Sequence, residues 1–184
     1  MYVTPDAADD CRLPAIDDDG ADVGVDRILA AYFQGAGMTS TTSEEHFRKL
    51  ERMYAAAPIN AYFEPVLRVF DGVAKITIPV KPEFFHAAGA IHGSVYFKAL
   101  DDSAFFAANS LVEDVFVLTV SFNVFLTRPV SGGELRAAGT VVQRSRNLIL
   151  ADSVVHDSEG RQVARGSGAF MRSSIALTPE IGYR

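Results

Sequence analysis

Apolar side chains change their spacing several times along this chain, and the changes mark its elements. Phe47, Leu50, Tyr54 and Ala57 recur at helical intervals, with Glu44 and Glu45 in front and Pro58 behind. This predicts a helix over about residues 44–57, capped by Thr42 or Ser43 and serving as plain packing against a sheet. Two β-rich runs, 66–70 and 73–80, flank Asp71-Gly72 and read as a hairpin. Residues 115–127 alternate: Phe116, Leu118, Val120, Phe122, Val124 and Leu126 fall on one face, Thr119, Ser121 and Asn123 on the other. Strands at 135–144, 148–156 and 162–171 follow, separated by turns at Ser145-Arg146-Asn147 and Asp157-Ser158-Glu159-Gly160. Gly166 and Gly168 inside the last strand predict a bulge or a close approach to the backbone, and residues 173–184 show no pattern.

Between the hairpin and the alternating strand lies a segment of different character. Ile91, Val95, Leu100, Ala104 and Ala107 fit a buried helical face, and Phe97, Phe105 and Phe106 extend the apolar surface around the circumference. Such a helix is mostly enclosed, and one sheet wrapped around one long buried helix is an α+β layout. Two adjacent carboxylates, Asp101 and Asp102, interrupt it. Buried charges are paired or used. Lys98 stands four residues before Asp102, the spacing of a helical ion pair. Consecutive helical residues are rotated by roughly 100°, which leaves Asp101 on another face and available for chemistry.

The start of the same helix offers the complement. Backbone N–H groups near Gly93 and Ser94 lack intrahelical partners and carry the positive end of the helix dipole, a setting for a polarised carbonyl or an oxyanion. Gly93 and Asp101 are eight residues apart, roughly 12 Å along an unbroken helix. A base or nucleophile works within about 3–3.5 Å of its target, so one helix cannot aim both groups at one atom. Two antiparallel copies can, and the expectation is a site shared across a homodimer.

Residues 84–104 resemble the signature of hotdog-fold acyl-CoA thioesterases of the PaaI-like, phenylacetate-pathway group, and the flanking strands extend the likeness over about 60–172. That motif reads roughly Asn-x-x-Gly-x-x-His-Gly-Gly, followed by Asp nine residues after the histidine; Gly89, His92, Gly93 and Asp101 match it. His86 stands where the asparagine is usual, and Ser94 replaces the second glycine. The resemblance implies a hotdog fold, hydrolysis of an acyl-CoA thioester without a cofactor of its own, and an obligate homodimer that can pair into a dimer of dimers. Asp101, Gly93, His92, His86 and Thr119 are then the catalytic candidates. Asp101 acts as base or nucleophile, His86 holds the carbonyl or the water, and Thr119 orients the water. Ser94, Asp102, Asn123, Arg144 and Arg146 are the candidate substrate contacts, the arginines suited to coenzyme A phosphates. Two other functions fit the same elements: a hotdog hydratase or dehydratase of enoyl thioesters, whose acid falls near Lys98, and a non-catalytic acyl-CoA sensor.

Composition narrows the remaining choices. The chain has 184 residues, 48% of them hydrophobic, enough for one sizeable core. Residues 1–37 hold eight aspartates against two arginines, which accounts for the whole net charge of −6. They read as a disordered acidic leader or a segment foreign to the fold, with 38–184 as a single domain. A neutral body with an acidic leader has no footprint for nucleic acid. No apolar run reaches membrane-span length, and the lone Cys11 suits a reducing cytoplasm. None of the four histidines has zinc-site spacing, so no metal is expected, and the Gly-x-Ser-x-Gly elbow of a serine hydrolase is missing.

Overall fold

The structure, a computed structural model, describes residues 41–184, and the acidic leader lies outside them. Helix α1 (Thr41–Ala56) and the short α2 (Asn60–Phe63) lead into β1 (Val66–Phe70) and β2 (Val73–Pro79). A 3-10 turn at Pro82–Phe84 and an extended loop deliver the long helix α3 (Gly93–Asn109). Strands β3 (Val115–Leu126), β4 (Glu134–Arg144), β5 (Leu148–His156) and β6 (Gln162–Ala176) follow, then a second 3-10 turn at Pro179–Ile181. The six strands form one antiparallel sheet in the order β1-β2-β4-β5-β6-β3. This is the expected hotdog arrangement, with α1 as an additional layer. Helix α1 is already under way at Thr41, so Ser43 lies within the helix rather than capping it.

Helix α3 is rich in alanine, the strongest helix former, and presses its alanines and Leu100 onto the sheet. Ala99, Leu100, Ala104 and Ala107 are wholly buried, against Ile76, Leu135, Val155 and Phe170 of the strands. Each large apolar side chain so enclosed contributes about 1.5–3 kcal/mol. The helix backbone sits directly on β4 at Gly139, where a Cβ would fall 2.2 Å from the Ser103 carbonyl. Beside that contact the Ser103 and Ser153 hydroxyls share a 2.6 Å hydrogen bond in the dry interior. At the other end Asn109 donates to the Val112 carbonyl and accepts from the Val117 N–H at 3.1 Å, which ties the end of α3 to the start of β3.

Strand β3 departs from simple alternation. Its pairing with β6 shifts between Thr119 and Ser121, leaving Val120 as the extra residue of a bulge. Val117 is fully buried and Thr119 turns toward α3, whereas beyond the bulge Phe122 takes the inward position. The alternation therefore assigned Thr119 and Phe122 to opposite faces where the bulge brings them to one. The Phe122 ring lies across Gly166 and Gly168, at 2.4 Å from the Cβ either would carry, which is the close approach expected of those glycines. Because the contact at Gly139 is with backbone, Gly139→Ala is expected to cost about 1–3 kcal/mol by overpacking. Denaturant titration checks this, and an unchanged midpoint contradicts the close approach.

Candidate active site

The start of α3 is built by its own side chains. His92 is the cap residue in an extended conformation, and its ring Nδ1 accepts from the Ser94 N–H at 3.2 Å and meets Ser94 Oγ at 2.9 Å. With Nδ1 an acceptor, the ring proton sits on Nε2. Ser94 and the His92 ring thus satisfy each other, and the Gly93 N–H is left at the open end of the helix. The preceding loop is fixed by backbone bonds from His92 to Phe84 and from Ile91 to Val130. His86 lies exposed on that loop, its Nδ1 accepting from Ala88 N–H at 3.1 Å. Ile91 precedes the helix and pairs with Phe85 in an isolated bridge, so it belongs to the loop and not to the helical face.

Two turns along, the paired carboxylates separate as their rotation requires. Asp102 accepts from Lys98 Nζ at 2.5 Å and from the Tyr54 hydroxyl at 2.6 Å, so the expected helical ion pair is present and is joined by α1. Burial, with the Asp102 charge beside it, holds the Tyr54 phenol protonated far above its ordinary range. Asp101 points elsewhere, and its Oδ1 accepts from Thr119 Oγ1 at 3.0 Å. Burial pushes the Asp101 carboxyl up to about 6; the Thr119 hydrogen bond opposes the shift, the Asp102 charge adds to it and Lys98 opposes it. A carboxyl titrating there is ionised near neutrality and still basic enough to take a proton.

Asp101 and Thr119 open onto a cavity of about 850 Å³. Its walls are largely apolar, with Phe105, Phe106 and Phe116 beside the carboxylate and Met53 and Ile181 among the residues completing them. Tyr54 and, from the C-terminal segment, residues 179–182 and Arg184 also line it. The periodicity of α1 offered only packing, because the Tyr54–Asp102 bond spans 48 positions of sequence. Segment 179–184 begins with the Pro179–Ile181 3-10 turn and has no repeating pattern to detect.

The remaining candidates fall outside this cavity. Asn123 is exposed on β3, beyond the bulge, opposite Ser167. Arg144 and Arg146 line a separate polar hollow of about 720 Å³ with Arg172, which is itself ion-paired to Asp114. His86, His92 and Asp101 are not brought together, and among the described residues no group of His, Cys, Asp or Glu side chains is placed to hold a metal ion.

The sheet wrapped around α3 is a hotdog fold, with an open helix start at one end and a raised carboxyl on an apolar cavity two turns along. Residues 88–164 match the family model of the Thioesterase superfamily. Similar solved structures include the Escherichia coli PaaI protein from the phenylacetic acid degradation operon, with 19% identity and a TM-score of 0.68, covering 74% of this chain and 99% of that one. A thioesterase family protein from Silicibacter pomeroyi has 24% identity and a TM-score of 0.65, covering 68% and 96% of the two chains. A Saccharolobus solfataricus protein whose curated name assigns it only provisionally as an esterase is 23% identical over 127 residues, 69% of this chain and 87% of that protein.

The raised Asp101 carboxyl has a consequence for stability. Its charged form is disfavoured in the folded chain, so folding loses stability as pH rises from the ordinary carboxylate range, near 3.8, to about 6. Asp101→Asn removes that loss. The variant is expected to be more stable than wild type at pH 7 by on the order of 1 kcal/mol after allowance for solvent screening. The gap closes below pH ~4. Thermal melting across this range checks the sign.

Proposed function

We propose that the protein hydrolyses acyl-CoA thioesters in the cytoplasm at a site completed by two copies of the chain. The observation that carries this is the position of Asp101, a carboxyl held near neutrality on an apolar cavity and eight residues from the Gly93 N–H on one unbroken helix. Strand β3 supports the pairing. It is the outer strand of the sheet, carries no charged residue from Val115 to Leu126, and exposes Leu118, Val120 and Phe125. An edge so unprotected is made to be paired. Antiparallel association of two β3 edges lays the α3 helices side by side in opposite directions, bringing Gly93 of one copy to Asp101 of the other. Two such dimers can associate further.

In this mechanism the Gly93 N–H donates to the thioester carbonyl oxygen and stabilises the charge that develops there. Asp101 of the second copy takes a proton from water as the water oxygen bonds to the carbonyl carbon; the C–S bond then breaks and coenzyme A leaves as the thiol with that proton. Direct attack by the Asp101 carboxylate, followed by hydrolysis of the anhydride, uses the same atoms. Thr119 fixes the carboxylate, His92 and Ser94 hold the helix start, and His86 is the group on the adjoining loop available to the carbonyl or the water. The acyl group occupies the aromatic cavity, with Asp102 holding Lys98 and Tyr54 in its wall. Arg144 and Arg146 take the phosphates of coenzyme A.

Thiol release from a panel of acyl-CoAs tests the proposal. Asp101→Asn is expected to lower kcat/KM by about 10²–10⁴-fold. The wild-type profile is expected to rise with pH to a plateau above about 6, as the carboxylate forms. Equal rates in the two proteins remove Asp101 from the chemistry.

A further inference from the structure

The family match ends at residue 164, yet much of the cavity wall lies outside it. Past β6 the chain runs as a strap over residues 177–184, across α1. Leu177 N–H donates to the Asp114 carbonyl at 3.0 Å, the Pro179–Ile181 turn follows, and Gly182 adopts a φ of +91° that side chains rarely tolerate. Gly182 lies on α1 so closely that a Cβ would stand 3.3 Å from Met53 Cα. The strap is then pinned. The Tyr183 hydroxyl donates to His46 Nδ1 at 2.6 Å, and the other ring nitrogen of His46 donates to the Asn109 carbonyl at 3.0 Å.

His46 is 3% exposed and Tyr183 is half-buried, and their link joins the strap, α1 and the end of α3. Its three groups are matched donor to acceptor with the imidazole neutral, and burial keeps the ring neutral by lowering its pKa. A cluster satisfied in this way specifies one position for the strap. That position puts Pro179, Ile181 and Gly182 into the wall of the Asp101 cavity, which Phe105 and Phe106 also line. Ile181 is the one large apolar side chain the strap contributes.

We infer that the strap is the specificity wall of the acyl cavity: Ile181, held in place by the Tyr183–His46 hydrogen bond, limits the bulk of the acyl group that fits. This deepens the proposed function and rests on it for the nature of the ligand. The substrate class is an apolar acyl group of bounded size, and trimming or loosening the strap admits a larger one. A pocket contact of this kind is worth about 10-fold or more in discrimination between neighbouring homologues.

The test uses the full chain, wild type, Ile181→Ala and Tyr183→Phe, each checked for native melting. Binding of non-hydrolysable S-alkyl-CoA thioethers of graded length is measured by calorimetry, and kcat/KM is measured for the matching acyl-CoAs. In wild type, affinity is expected to stop rising at one length and fall beyond it. In Ile181→Ala the limit moves to longer chains, by about 10-fold in the ratio of long to short. Tyr183→Phe moves it the same way by less, since only the pin is lost. The same limit in all three folded proteins, or no thioether binding by wild type, overturns the inference. Thioether binding with the shifted limit but no acyl-CoA turnover upholds the wall and refutes hydrolysis instead.

Discussion

The fixed length of helix α3 is the constraint on which the rest depends. The helix runs unbroken from Gly93 to Asn109, welded to β4 where Gly139 admits the Ser103 backbone and tied to β3 by Asn109. A rigid rod of this kind holds an open N–H and a half-buried carboxylate roughly 12 Å apart. No adjustment within the chain brings them to one atom. Function at both ends of the rod therefore calls for a second rod, and the bare β3 edge beside it is the surface on which one can be aligned.

The same enclosure sets the chemistry. Among the described residues, only Asp101 combines an upward carboxyl shift with a place on the large apolar cavity. Its neighbour Asp102 is held by Lys98 and Tyr54, and its charge adds to the shift of Asp101 while Lys98 limits it. Adjacent positions thus acquire different roles from rotation alone: one carboxylate anchors α1 and a cation in the cavity wall, the other faces the cavity with a hydroxyl to orient it.

Most of the architecture was legible in the sequence because it rests on local rules. The Asp71-Gly72 hairpin, the enclosed helix with its His-Gly-Ser start and the Lys98–Asp102 pair are all matters of spacing over a few residues. What stayed hidden was non-local. The bulge at Val120 that turns Thr119 inward arises from pairing with β6, and it leaves the alternation of β3 misleading across its middle. Tyr54 reaches Asp102, and Tyr183 reaches His46, over separations that no periodicity records. Arg146 lies in the turn after β4 and Arg144 at the end of that strand, as their spacing implies, but the turn opens on a hollow apart from Asp101.

Subunit complementation addresses the proposed sharing of the site most directly. Gly93 is the first residue of α3, where proline is well accepted, and His92 before it is already extended, so Gly93→Pro deletes the N–H and keeps the helix, with a small shift of the Leu126 side chain, whose Cδ1 lies 3.1 Å from where the Cβ would stand. Gly93→Pro and Asp101→Asn homodimers should each be nearly inactive. Refolding an equal mixture of the two should restore about one quarter of wild-type activity, since half the dimers are mixed and each of those holds one intact site of two. A mixture as inactive as its parents would place both groups in a single chain's site and contradict the account.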